Sequence, residues 1–282
     1  MQVTLWGTRG SLATPGPETA RYGGNTSCVG VVGREGTMLV LDAGTGVRRL
    51  GATIPETVRR VDILLTHLHM DHIQGLGFFA PLYRPDLEVH LWGPGSATLR
   101  LPARLMRYLS PPLFPVNLSE LPCKLVFHEV PAGVADIGEF RVTSALVCHP
   151  GPTVGYRIAE AGGGVLTYLP DHEPALGCLR FPCLPRAWTS GAELAAGADL
   201  LIHDGQYSAA EYPGHRGWGH SSLNQTLDFG TFTEVKQLVP FHHDPGHTDD
   251  DLDRLMAQAI DETKPAYRVT PGAEGRVISL GL

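Results

Sequence analysis

The chain has 282 residues, enough for one large domain or two small ones at roughly 100 to 200 residues each. Hydrophobic residues make up 43% of it and no apolar run approaches about eighteen residues, which excludes a membrane-spanning helix; the opening Met1-Gln2-Val3-Thr4-Leu5-Trp6 carries no secretory signal, so a cytoplasmic location is expected. With 22 basic against 29 acidic residues the formal charge is −7, which argues against a long nucleic acid gripped through its phosphates and favours a small substrate.

In chain order, Val3 to Trp6 alternates like a strand, and a long loop from Gly7 to Thr26 follows. Cys28 to Val32 and Met38 to Leu41 read as a strand pair, and Asp42-Ala43-Gly44-Thr45-Gly46 leads into a short helix ending near Leu50. Val61 to Thr66 is a β-branched and apolar run, the mark of a strand buried on both faces. Further strands are expected at Leu87 to Trp92, Lys124 to His128, Phe140 to Val147, Val154 to Ala159, Val165 to Leu169, Leu200 to His203 and Val235 to Phe241. Helices are expected at Ser96 to Tyr108, Ala192 to Ala196, Ser222 to Leu227 and Leu252 to Ile260, the last with a capping box formed by Thr248 and Asp251.

Strands interleave with helices without one repeating unit, which predicts an α+β fold of two sheets with helices outside. No repeat or linker divides the chain, so one domain over residues 1–282 is expected, with a Pro-rich surface insertion near 95–123 that could act as a lid. The 34 glycines and 23 prolines fit short elements joined by many turns. Five scattered cysteines do not make a disulfide framework, and the nearest pair, Cys178 and Cys183, lacks the two further ligands of a metal knuckle.

The sharpest feature is Thr66-His67-Leu68-His69-Met70-Asp71-His72, an H-x-H-x-D-H pattern at the end of the buried strand. Imidazoles and a carboxylate crowded at this spacing suit borderline divalent cations such as zinc. The pattern resembles the metal-binding motif of the metallo-β-lactamase fold superfamily, and the likeness runs through nearly the whole chain. That resemblance implies a four-layer αββα sandwich with a site for two divalent metal ions between its sheets, zinc first, with manganese and iron as alternatives.

Carried over residue by residue, the resemblance implies that His67, His69 and His149 hold one ion and Asp71 and His72 the other. Asp171, in Tyr168-Leu169-Pro170-Asp171, takes the place of the bridging carboxylate, and His242 that of the last ligand, with the adjacent His243 as its rival. Two more segments resemble the ribonuclease Z branch. Asp204, after Leu200 to His203, stands where that branch has a glutamate, and Gly219-His220-Ser221-Ser222 matches its His-Ser-Thr stretch. Together they imply an acid relay in which His220, oriented by Asp204, protonates the leaving oxygen. Aspartate is one methylene shorter than glutamate, so this contact departs from the branch. Trp6 to Ser11 and Arg21 to Ser27 also resemble the branch, where this loop borders the site.

Other histidines get structural readings: His90 and His128 as partly buried strand residues, His172 and His203 facing away or behind the site, His215 solvated in a loop and His247 at a helix start. Two divalent ions, the carboxylates of Asp71 and Asp171 and a hydroxide nucleophile leave a net charge of about +1, matched to a phosphodiester. A positioned acid adds a factor of about 10² to 10⁴ for a poor leaving group. The helix after His220 could also offer N–H groups to the anion.

The expected activity is therefore a dinuclear metal-dependent phosphodiesterase acting on a small phosphodiester such as a cyclic nucleotide. The alternatives are a ribonuclease Z-like RNA endonuclease, a thioester or lactone hydrolase of the same fold, and a non-catalytic metal-binding scaffold. Lysine occurs three times and no basic arm for gripping RNA is evident. The assembly state is left open, a homo-oligomer included.

Overall fold

The apolar runs pair into two sheets in a computed structural model of the protein, which describes residues 1–130, 133–174, 176–178 and 181–281. One seven-stranded sheet contains β1 (Gln2–Gly7), β2 (Cys28–Val32), β3 (Met38–Leu41), β4 (Arg60–Leu64), β5 (Glu88–Pro94), β6 (Lys124–Val130) and the C-terminal β14 (Val277–Ser279), in the order β14-β1-β2-β3-β4-β5-β6. The other contains β7 (Gly133–Ile137), β8 (Phe140–Leu146), β9 (Val154–Glu160), β10 (Val165–Leu169), β11 (Leu200–Asp204), β12 (Gln237–Phe241) and β13 (Arg268–Val269), in the order β13-β12-β11-β10-β9-β8-β7.

Strand alternation divides the apolar residues among three cores. Val3, Leu5, Leu39 and Leu41 meet Tyr156, Ile158, Tyr168, Ile202 and Phe241 between the sheets. Val61, Ile63 and Leu65 point the other way, onto a core shared with α1 (Val47–Gly51), α2 (Met70–Ile73) and α3 (Leu101–Leu105). Leu169, Leu201 and Leu238 back onto α4 (Ala192–Ala195), α5 (Leu223–Phe232) and α6 (Asp249–Thr263). Helix, sheet, sheet and helix layers thus form the expected αββα sandwich. Each fully buried Leu, Ile or Phe stabilises it by roughly 1.5 to 3 kcal/mol relative to exposure.

Capping boxes start the two long helices, Ser222 with Gln225 on α5 and the expected Thr248 with Asp251 on α6. The helix expected over Ser96 to Tyr108 contracts to α3, because Pro102 lacks an N–H and fits only a first turn, and Arg100 before it is extended. The strands β13 and β14 carry too few residues for a pattern to show, and β7 is largely exposed, with only Ile137 buried, so it has no apolar run. The cysteine reading also needs correction: Cys178 and Cys183 are joined in a disulfide, within a loop that the sequence periodicity did not organise. Among the described residues no helix is long and apolar enough to cross a membrane.

Direction of travel is what matters for function. β3, β4, β5 and β6 run parallel, as do β10, β11 and β12, and β8 shares the direction of β10 because both are antiparallel to β9. The carboxyl ends of these strands are where an α/β sheet leaves a crevice for ligands.

Candidate metal centre

Each sequence-predicted metal ligand, and Asp204, lies at or after the carboxyl end of one of these strands, whereas His220 comes from the segment before α5. His67 to His72 follow β4, His149 follows β8, Asp171 follows β10, Asp204 ends β11 and His242 follows β12. The fold therefore gathers side chains that are far apart in the chain. His67, His69 and His149 offer donor atoms within 4.8 Å of one another, and Asp71, His72, Asp171 and His242 form a second such group.

Asp171 lies between the two groups. Its Oδ2 is 3.7 Å from His67 Nε2, 3.8 Å from His149 Nε2 and 3.3 Å from His242 Nε2, and its Oδ1 is 2.9 Å from His72 Nε2. Within the first group His149 Nε2 stands 3.2 Å from His69 Nδ1. In the second, Asp71 Oδ2 is 3.0 Å from His242 Nε2 and 3.3 Å from His72 Nε2, and the two imidazole Nε2 atoms are 3.4 Å apart. Ligands about 2.0 to 2.1 Å from a tetrahedral zinc are separated by about 3.3 Å, so these spacings suit such an ion.

Three of the opposite ring nitrogens are already committed. His72 Nδ1 bonds Asp42 Oδ2 at 2.8 Å, His149 Nδ1 donates to the Gly219 carbonyl at 2.9 Å, and His242 Nδ1 donates to Gln206 Oε1 at 3.0 Å. Partners of this kind fix the tautomer that leaves the opposite nitrogen free to coordinate. His67 Nε2 is buried without a hydrogen-bond partner among the described residues. A buried polar atom left open in this way, in a donor set of imidazoles and carboxylates, fits a divalent cation.

Electrostatics inside the cluster are correspondingly strong. Burial pushes the Asp171 carboxyl up, but His242, His72 and His67 outweigh it and hold the group well below the carboxylate range. His72 shows the reverse balance: desolvation lowers it, while Asp171, Asp71 and Asp42 raise it well above the usual imidazole value. His67 is lowered, chiefly by burial.

Backbone geometry completes the cluster. The chain leaves β12 and turns left-handed at His242, φ 60°, a conformation that histidine adopts more readily than bulky residues. His243 consequently points elsewhere, its Nε2 donating to the Gly272 carbonyl at 2.8 Å. The loop after β1 closes over this side, with Ser11 N donating to Asp71 Oδ2 at 2.8 Å. A Cβ on Gly10 would sit 2.3 Å from the His242 ring, so the loop's close approach requires glycine there.

Asp204 and His220 also meet, at 2.6 Å between Oδ2 and Nδ1. The shorter aspartate reaches because the Tyr207 to Ser222 bridge draws the two segments together and Ser221 N donates to Asp204 Oδ1. Desolvation lowers the His220 imidazole, but Asp204 and then Asp171 more than reverse that and raise it to about 9. Its Nδ1 is 4.0 Å from Asp171, yet that atom is already engaged by Asp204. The start of α5 does not present its donors as expected: the N–H groups of Ser222, Leu223 and Gln225 go to Gln225, Tyr207 and Ser222.

Among the residues read structurally, His172 and His203 bond each other at 2.9 Å, and His90 bonds His128 at 2.9 Å. His215 stacks on Tyr207, and His247 pairs with Glu211 at 3.0 Å. Sequence reasoning missed three supports of the site. Asp42 is fully buried behind His72; its position at the end of β3, where a strand meets Ala43-Gly44, was the available signal. Gln206 gave no local signal. Glu173, two residues after Asp171, accepts from Tyr212 Oη and from the N–H groups of Gly217 and Gly219, holding the loop whose carbonyl orients His149.

Residues 37–243 match the family described as the beta-lactamase superfamily domain. Ribonuclease Z of Brevibacillus brevis is 25% identical over 309 residues, covering 97% of this chain and 95% of its own. Among solved structures, human tRNase Z, short form, aligns with a TM-score of 0.67 at 21% identity over 99% of both chains. A diphosphatase of the PhnP family aligns with a TM-score of 0.69 at 17% identity, covering 99% of this chain and 97% of its own.

Proposed function

Because this chain belongs to the beta-lactamase superfamily domain family, on its ribonuclease Z and phosphodiesterase-like branch of hydrolases, we propose that it is a dinuclear phosphodiesterase acting on a small phosphodiester such as a cyclic nucleotide. The observation that carries this reading is the Asp204–His220 pair, at 2.6 Å, beside a carboxylate shared by two groups of candidate ligands. His67, His69 and His149 would hold one divalent ion, Asp71, His72 and His242 the other, and Asp171 both, with zinc the first candidate. When bound, such ions supply positive charge to the phosphoryl oxygens and lower the pKa of water to about 7, which provides a nucleophile at neutral pH.

The chain's own residues supply the rest. Asp204 accepts the Nδ1 proton of His220, and this fixes the ring with Nε2–H available to the leaving alkoxide. Asp204 is itself held by the N–H groups of Gln206 at 3.0 Å and His172 at 3.1 Å, so the acid is preorganised rather than recruited. Gln206 couples this relay to the metal side through His242.

A second reading, RNA cleavage, is favoured by the full-length similarity to ribonuclease Z. Against it stand the net charge of −7 and three lysines in the whole chain, a poor footing for a long polyanion. Turnover of cyclic nucleotides, dinucleotides and short RNA by the purified, metal-loaded protein separates the two. Hydrolysis of cyclic nucleotides or dinucleotides is expected, and cleavage confined to RNA contradicts the small-substrate reading.

A further inference from the structure

We propose that the indole of Trp218 is a stacking platform for a flat ring, such as a nucleobase, borne on the leaving-group side of the substrate. The inference rests on the phosphodiesterase reading and adds to it a residue that decides which leaving groups are taken. Trp218 belongs to the loop that builds the site. It stands two residues before His220, a span of at most about 7 Å along the chain. The residue between them, Gly219, gives its carbonyl to His149 Nδ1 at 2.9 Å. A Cβ on Gly219 would fall 2.5 Å from that same nitrogen, so the loop lies directly against a candidate ligand.

The loop is held still while its largest side chain is kept in water. Gly217 N and Gly219 N, on either side of Trp218, both donate at 3.0 Å to the fully buried Glu173 carboxylate. Trp218 N itself donates to the His215 carbonyl at 3.1 Å, and His215 Nδ1 donates to the Glu211 carbonyl at 2.9 Å. Yet the indole is 60% exposed, and among the described residues the three cores leave it out. An aromatic ring left in water forfeits its usual contribution to the fold; fixed in place by its backbone, it offers a ligand a preformed face.

Ring contacts around the acid identify the occupant. Among the described residues three rings meet His220: His242 stacks on it at 4.9 Å between centroids, His149 stands edge-on at 5.0 Å and Tyr207 edge-on at 6.0 Å. The first two are candidate ligands, so the phosphoryl group belongs on their side. Tyr207 instead begins a series that runs outward, with His215 stacked on it at 4.3 Å and Trp218 edge-on to His215 at 4.9 Å. Exposure climbs along that series from 4% at Tyr207 to 60% at Trp218. The group that departs with the oxygen protonated by His220 therefore lies along Tyr207, His215 and Trp218. Aromatic faces of this kind stack any nucleobase, so the site selects for a ring and discriminates little between bases.

Calorimetric titration of two ligands into the metal-loaded full chain tests this: adenosine 5′-monophosphate, and ribose 5-phosphate, which has the same phosphate ester without the base. Wild type is expected to bind the nucleotide about tenfold more tightly than the sugar phosphate. Trp218→Ala is expected to remove that preference and leave ribose 5-phosphate binding within about twofold of wild type, whereas Trp218→Phe keeps most of the preference because a ring face remains. Circular dichroism and metal content verify that each variant is folded and loaded. No preference for the nucleotide in wild type, or a preference undiminished in Trp218→Ala, overturns the inference. Turnover of bis(p-nitrophenyl) phosphate by the wild-type protein is read separately: its absence overturns the phosphodiesterase reading, whereas the affinity comparison decides the role of Trp218.

Discussion

Asp42 Oδ2 lies 2.8 Å from His72 Nδ1, with both side chains fully buried. The carboxylate also accepts from Thr66 N at 2.7 Å and from Tyr168 Oη at 3.0 Å, so it joins β3, the metal motif and β10 behind the candidate ligands. Asp42 sits at φ 57°, a conformation that asparagine tolerates and alanine does not. Asp42→Asn is therefore the informative variant. It is expected to bind the ion on the Asp71–His72 side about 10- to 100-fold more weakly, as read from competition with a chelator. Unchanged affinity would show that Asp42 serves the fold alone.

The relay gives a prediction that depends on the leaving group. His220→Ala is expected to keep both ions, to lose about 10²- to 10⁴-fold in kcat/KM on alkyl phosphodiesters, and to lose less than about tenfold on p-nitrophenyl esters, which need no acid. Asp204→Asn is expected to follow the same pattern. Equal losses on both substrate types would contradict the assignment of His220 as the acid.

Buried histidine chemistry predicts how stability changes with pH. His203 is fully buried, and burial pushes its imidazole down to about 4. Unfolded, it titrates near 6.5, so below that pH the unfolded chain takes up a proton that the folded chain refuses. The contribution is complete above pH 6.5 and is lost as pH falls towards 4, about 3 kcal/mol across the window. Urea denaturation of His203→Gln is expected to show a shallower decline over that range than wild type, and identical slopes would refute the point.

Glu173 is expected to matter more for folding than its distance from any reaction suggests. Its carboxylate accepts from Tyr212 Oη at 2.7 Å and from the N–H groups of Gly217 and Gly219 at 3.0 Å each. Glu173→Ala leaves these donors without an acceptor, at a cost of at least about 3 kcal/mol, or a fall of about 6 to 12 °C in Tm. Calorimetry checks this, and a shift under about 2 °C would mean that the loop re-forms its bonds elsewhere.

Much of this architecture was legible in the sequence because burial on both faces demands continuous apolar runs. Cys28–Val32, Met38–Leu41 and Val165–Leu169 are such runs, bounded sharply enough to fix their limits. The candidate site was legible for a different reason: imidazoles and carboxylates placed directly after apolar strands stand out against their surroundings, from His67 to Asp171. What stayed hidden depends on long-range placement. Asp42, Gln206 and Glu173 look like ordinary polar residues until the fold brings them behind His72, His242 and His149. The choice between His242 and His243 could not be settled by strand alternation alone, because the left-handed turn at His242 ends the alternation there. The helix expected over Ser96 to Tyr108 starts only at Leu101 for a local reason, the proline at position 102, which fits a first turn and no later one.

Elemental analysis of the purified protein beside Asp171→Ala tests the central claim most directly, since Asp171 is the residue placed between both groups of ligands. Two divalent ions per wild-type chain are expected, falling to one or fewer in the variant together with loss of turnover to below about one per cent. A wild-type chain that holds fewer than two ions after loading, or a variant that retains both and still turns over, would contradict the account.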